Sequence, residues 1–148
     1  MSLKERLADD LKSAMKDKDV VRKNAIQMIR AGVLQVEKDN KVTLDDEGII
    51  EVVSKQLKQR KDVLPDYEKS GRDDLIADLK AEMDVLMQYL PEQLSPEEIE
   101  KIVAEAINST GASSMKDMGK IMAAVMPKVK GRADGKAINV AAKKLLSL

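Results

Sequence analysis

Cysteine, histidine, tryptophan and phenylalanine are all missing from this chain of 148 residues, and Tyr67 and Tyr89 are its whole aromatic content. Without cysteine there is no disulfide, no thiolate metal site and no thiol nucleophile. Without histidine too, the groups on which acid–base and nucleophilic catalysis most often rely are gone, and carboxylates are what remain. The scarcity of aromatics leaves a core of Leu, Ile, Val, Ala and Met, which suits helix-on-helix packing better than a sheet. No segment is long and apolar enough to span a bilayer, and residues 1–6 lack the apolar run of a signal peptide. A cytoplasmic protein with no membrane partner is expected.

What is present points the same way. Hydrophobic residues make up 43% and charged residues 35% of the chain, with few glycines and prolines, the mixture of amphipathic helices with solvated outer faces. The formal net charge is +0 but unevenly spread: residues 115–148 carry eight Lys or Arg against two acids, so residues 1–114 carry the opposite excess. Such asymmetry suggests a basic tail module that meets something anionic, attached to a mildly acidic body.

Periodicity and caps divide the chain further. Ser2 with Glu5 has capping-box spacing ahead of Leu3, Leu7, Leu11 and Ala14. Asp19 can cap a long second helix with Val21, Ala25, Ile29 and Val36 on one face, and Asp45 a third carrying Ile49, Val53, Leu57 and Leu64, which Pro65 should break or kink. Leu75, Leu79, Met83, Leu86 and Leu90 mark a fourth helix, so a first domain spans residues 1–90 as an N-terminal bundle of about four helices. From Pro91 to Pro96 the chain is punctuated, and Ser95, Pro96 and Glu98 give a strong helix start. Residues 91–148 then read as a C-terminal three-helix unit, its second helix starting at Ser114 and Asp117 and its third capped by Asp134. The expected fold class is all-α, two helical subdomains.

Few constellations carry chemistry. The acid pairs Asp45-Asp46, Asp73-Asp74 and Glu97-Glu98 sit at helix starts, where they complement the macrodipole rather than specify a general acid or a metal site. The methionines 115, 118, 122 and 126 line one side of a helix, as core residues or as an adaptable peptide-binding stripe. Residues 126–136, Met-Pro-Lys-Val-Lys-Gly-Arg-Ala-Asp-Gly-Lys, are the most informative. They place Lys128, Lys130, Arg132 and Lys136 on a turn between helices, with glycines that let a ligand approach the backbone and a following helix N-terminus that offers N–H groups. Phosphate is the natural guest; the alternative is a helix connection whose lysines merely solvate it. With no aromatic nearby to stack bases, a nucleic acid bound here would be read by backbone and shape, which favours a folded RNA.

This segment, together with Ala14-Met-Lys-Asp-Lys-Asp19 and Tyr89-Leu-Pro-Glu-Gln-Leu-Ser95, resembles the GatB/YqeY family over nearly the whole chain. The resemblance implies a two-subdomain helical fold whose C-terminal part is similar to the tail domain of the aspartyl/glutamyl-tRNA amidotransferase B subunit, which contacts tRNA. By that likeness a tRNA-binding role falls to Lys128, Lys130, Gly131, Arg132, Gly135 and Lys136. It implies no catalytic residue, no metal and no cofactor, with tRNA and aminoacyl-tRNA synthetase or amidotransferase components as partners. The family also carries a carbon–nitrogen ligase label with glutamine as amide donor, yet the chain is too short for the catalytic cradle of the B subunit. The function expected is therefore a non-catalytic tRNA-binding accessory module; the alternatives are a protein–protein adaptor with a basic tail and an auxiliary component of a glutamine-dependent amidotransferase.

Overall fold

A helix start needs a partner for its first N–H groups, and the sequence supplies one at most of them. In the computed structural model, which describes residues 1–147, Ser2 forms a full capping box with Glu5 ahead of α1 (Leu3–Lys16). Asp19 accepts from the Arg22 N–H to open α2 (Val20–Asn40), and Asp45 from the Gly48 N–H to open α3 (Asp46–Ser70). The α4 helix (Asp73–Met87) starts without a side-chain cap, but Asp73 and Asp74 lie in its first turn. Ser95 and Glu98 form a second capping box before α5 (Pro96–Thr110), and Asp134 caps α7 (Gly135–Leu146) through the Ala137 N–H. Between them, Ser114 caps one 3₁₀ turn (Met115–Asp117) that leads into α6 (Met118–Val129). No strand occurs among the described residues, so the fold is all-α, as expected.

Two of the four prolines lie inside helices, and the break expected at Pro65 does not occur. Both α3 and α6 continue through theirs, Pro65 and Pro127, to end at Ser70 and Val129. A proline in a helix removes one N–H and with it one bond of the helical ladder. Pro65 and Pro127 both lie on exposed faces of their helices, where water can replace the lost donor, and the helix persists.

Two compact units result, Met1–Pro91 and one from Glu92 onward. In the first, α2 is central and packs against α1, α3 and α4. Its core is Leu7, Ala25, Ile26, Ile29, Val33, Ile49, Val53, Leu57 and Leu86, each fully or almost fully buried. Burying one such aliphatic side chain is worth about 1.5–3 kcal/mol, so the face built from these positions decides the packing. Gly32 lets α2 come close to α3: a Cβ there would lie 2.9 Å from Val52 Cγ1 and 2.8 Å from Gln56 Nε2. The Tyr89 ring, just past α4, is buried under Arg6, whose guanidinium carbon lies 4.7 Å from the ring centre. Its hydroxyl donates to Asp10, which Arg6 and Arg22 flank at 3.7 and 3.6 Å. Burial and the neighbouring Asp10 carboxylate push the tyrosine's pKa well above its ordinary value.

In the second unit α5, α6 and α7 pack on one another around Val103, Ile121, Val125, Val129, Ile138 and Ala142. Met118, Met122 and Met126 are partly buried against that cluster, so the methionine stripe is core and only Met115 stays largely exposed.

Candidate nucleic-acid interface

The basic turn between α6 and α7 is built by hydrogen bonds to the segment that precedes α5. Gly131 has φ +78°, a left-handed conformation that L side chains rarely adopt, and it turns the chain out of α6. The N–H groups of Arg132 and Ala133 return to the Val129 carbonyl at 2.8 and 3.1 Å. Three bonds then clamp the turn across some forty residues of sequence. Gln93 Nε2 donates to the Gly131 carbonyl at 2.7 Å, the Leu94 N–H to the Arg132 carbonyl at 3.0 Å, and Arg132 Nε to the Glu92 carbonyl at 3.0 Å. Residues 92–94 and the turn at 131–132 are thus two halves of one structure.

The six candidate residues separate by role. Lys128, in the last turn of α6, and Lys136, at the start of α7, are exposed and make no ion pair among the described residues. Lys130 is exposed at the C-cap of α6. Arg132 is only partly exposed and is committed to Glu92, so its guanidinium holds the turn closed. Gly131 is required by its backbone angle. Gly135 is not: it is the first residue of α7, and a Cβ there would meet only Met122 Cε at an ordinary 3.5 Å. Asp134 serves the helix, its carboxylate accepting the Ala137 N–H at 2.8 Å.

Sequence reasoning missed the part of Glu92, Gln93 and Leu94. Their motif was visible, but nothing in its spacing names a partner forty positions on. Lys143 was also passed over; it is exposed on α7 and lies two turns beyond Lys136, on the same side of the helix.

Two further charged groups of this unit are engaged within it. Lys144 reaches Glu100 at 2.8 Å, and this contact raises the lysine's pKa. The Asp117 carboxylate takes the Ser113 N–H at 3.0 Å, which lowers its own. Among the described residues no group of three or more acidic side chains is placed to hold a metal ion. No helix among them is long and apolar enough to cross a membrane.

Comparison with known proteins gives this arrangement its relatives. The sequence pattern of the family described as Yqey-like protein matches residues 4–146. The chain is 30% identical over 130 residues to altered inheritance of mitochondria protein 41 of Pyrenophora tritici-repentis, covering 86% of this chain and 71% of that protein. It is 34% identical over 119 residues to the Vanderwaltozyma polyspora protein of that name, covering 76% of this chain and 64% of the relative. For a Saccharomyces cerevisiae counterpart the figures are 33% over 89 residues, 57% of this chain and 46% of the relative. The chain thus spans between about half and seven-tenths of the length of these curated relatives. All three are named as mitochondrial, which overturns the expected cytoplasmic location. That expectation rested on a missing apolar run, and such a run distinguishes secretion and membrane insertion from the rest, not one aqueous compartment from another.

Proposed function

The chain belongs to the Yqey-like protein family, and on that footing we propose that it is a non-catalytic tRNA-binding accessory module whose basic turn holds the RNA backbone. The observation that carries this reading is a division of labour at the turn. Gln93, Leu94 and Arg132 fix its shape by hydrogen bonds. Lys128, Lys130 and Lys136 stand exposed on that scaffold, and the three bonds that clamp it come from other residues. A lysine-bearing surface of fixed shape suits phosphates whose spacing is also fixed, as in a folded RNA. The resemblance of the C-terminal unit to the amidotransferase tail, which contacts tRNA, supports the same assignment. The absence of histidine and cysteine leaves the usual catalytic groups out, in keeping with a binding role.

The test is tRNA affinity of the full chain at several salt concentrations, with Lys128, Lys130 and Lys136 replaced by Gln and Arg132 kept. Each lysine that neutralises a phosphate should, when replaced, lower the slope of log affinity against log salt by about 0.7–0.9, with affinity falling by a similar factor across tRNA species. A variant that folds normally yet keeps wild-type affinity and slope would return the turn to a solvated helix connection.

A further inference from the structure

Of the surfaces outside the basic turn, the outer groove between α1 and α2 carries the most chemistry. Lys4, Leu7, Leu11, Met15 and Lys18 recur every three or four residues along α1 and the turn after it. On α2, Val20, Lys23, Gln27, Arg30, Leu34 and Glu37 do the same. The two helices are joined by a short turn and pack on each other, so these stripes border one groove. It opens into a hollow at each end. The first, about 180 Å³, is floored by buried Leu7, Val33 and Ile49, with Arg30 and Leu34 at its mouth. The second, about 250 Å³, lies over Ala14 between Met15 and Val20, beside Lys18 and Lys23. Both are smaller than the roughly 300–1,000 Å³ of sites that enclose a whole small molecule, and each fits an aliphatic side chain or two.

The rim is apolar, and the charge not already engaged in pairing or capping is of one sign. Met15, Val20 and Leu34 are 57%, 59% and 66% exposed, with nothing of their own unit covering them. The ammonium of Lys4 is spent on Glu37 at 2.8 Å, and the same carboxylate takes the Leu44 N–H at 2.8 Å, which lowers its pKa. Asp19 is occupied in capping α2. Lys18, Lys23 and Arg30 remain, with no carboxylate partner among the described residues, although residues 1–91 carry 19 acids and 17 bases. From the Val20–Lys23 stretch to the Arg30–Leu34 stretch is some ten residues of α2, roughly 16 Å, or about three turns of another helix.

We propose that this groove binds an acidic amphipathic helix of a partner protein. Aliphatic side chains about three turns apart seat in the two hollows, and carboxylates beside them meet Arg30, Lys23 and Lys18. The uncompensated cations select an acidic partner over a basic one, and the small hollows select Leu, Ile or Met over an aromatic anchor.

The experiment uses the full chain with labelled methyl groups and two blocked synthetic helices. One is built of Ala, Gln and Glu with a leucine stripe about three turns long; the other carries Lys at every Glu. The acidic helix should shift the methyl resonances of Leu7, Met15, Val20, Val33 and Leu34, and the lysine helix should not. Arg30→Glu combined with Leu34→Ser, both exposed positions, should leave helicity unchanged and weaken binding about tenfold or more, without altering tRNA affinity. Three results would overturn the proposal: no methyl shifts, equal binding of the two helices, or undiminished binding by the folded double variant. So would sedimentation showing that the protein alone is a dimer dissolved by those two changes, since the groove's occupant would then be a second copy.

Discussion

Two turns between helices, one in each unit, meet the same geometric demand with different residues. Residues 14–19 join α1 to α2, and residues 129–135 join α6 to α7. Each passes through a left-handed residue and ends on an aspartate that caps the next helix, Asp19 or Asp134. In the second the left-handed position is Gly131; in the first it is Lys18, at φ +56°. The Asp19 N–H returns to the Ala14 carbonyl at 3.0 Å and the Lys18 N–H to that of Met15 at 3.2 Å, a closed C-terminal cap of the kind that glycine usually occupies. A non-glycine residue there costs about 1 kcal/mol. Where the turn itself is clamped by another segment, shape governs the residue choice. Where the turn borders an open groove, a side chain stands in spite of its strain, and the proposed helix-binding role gives that side chain a use.

The sharpest way to break this comparison is to put a β-branched residue at the glycine. Gly131→Val should destabilise the second unit by about 2 kcal/mol or more, seen as a lower melting temperature by circular dichroism, because it forces a bulky residue into the left-handed region and disturbs the clamp. Gly135→Ala, at a helical φ with room for a Cβ, should do almost nothing. A Gly131→Val protein that melts like wild type would show that the clamp tolerates another backbone path.

A middling effect is expected at Arg132. Removing its bond to the Glu92 carbonyl in Arg132→Ala should cost roughly 1 kcal/mol, whereas Lys128→Ala should stay within about 0.5 kcal/mol. Equal melting of the two variants would make Arg132 one more surface cation. The smallest effect sharpens the other side: Lys18→Gly should raise stability by about 0.5–1 kcal/mol as the strain is relieved, while weakening acidic-helix binding. A drop in stability instead would mean that the lysine is there for folding.

Much of this was legible before the structure, and the reasons are local. Ser2, Asp19, Asp45, Ser95 and Asp134 each cap the helix that their spacing announced, since capping needs only residues within three positions. The break expected at Pro65 is absent, because the effect of a helical proline depends on whether the carbonyl it deprives of a donor can reach water. At the basic turn the cations and Gly131 could be found by inspection. The clamp from Glu92, Gln93 and Leu94 could not, since it is a tertiary pairing whose two halves obey different local rules. For the same reason Arg132 reads as an equal of its neighbouring lysines in sequence and differs from them once folded.

The placement of Tyr89 has a spectroscopic consequence. Both tyrosines lie in the first unit, and with no Trp or Phe in the chain the second unit contributes nothing to near-ultraviolet absorbance or emission. Tyrosine signals therefore follow the unfolding of residues 1–91 alone, while far-ultraviolet dichroism follows both units. If the two curves fail to superimpose during denaturation, the units melt separately, and the protein reports this without an added label. The buried hydroxyl on Asp10 adds a chemical handle to the same reporter. Its folded pKa is raised, so its contribution to stability is intact below about pH 10 and fades as alkali ionises the unfolded chain first. The appearance of tyrosinate from Tyr89 is then a clock for the opening of one unit, with the other optically silent.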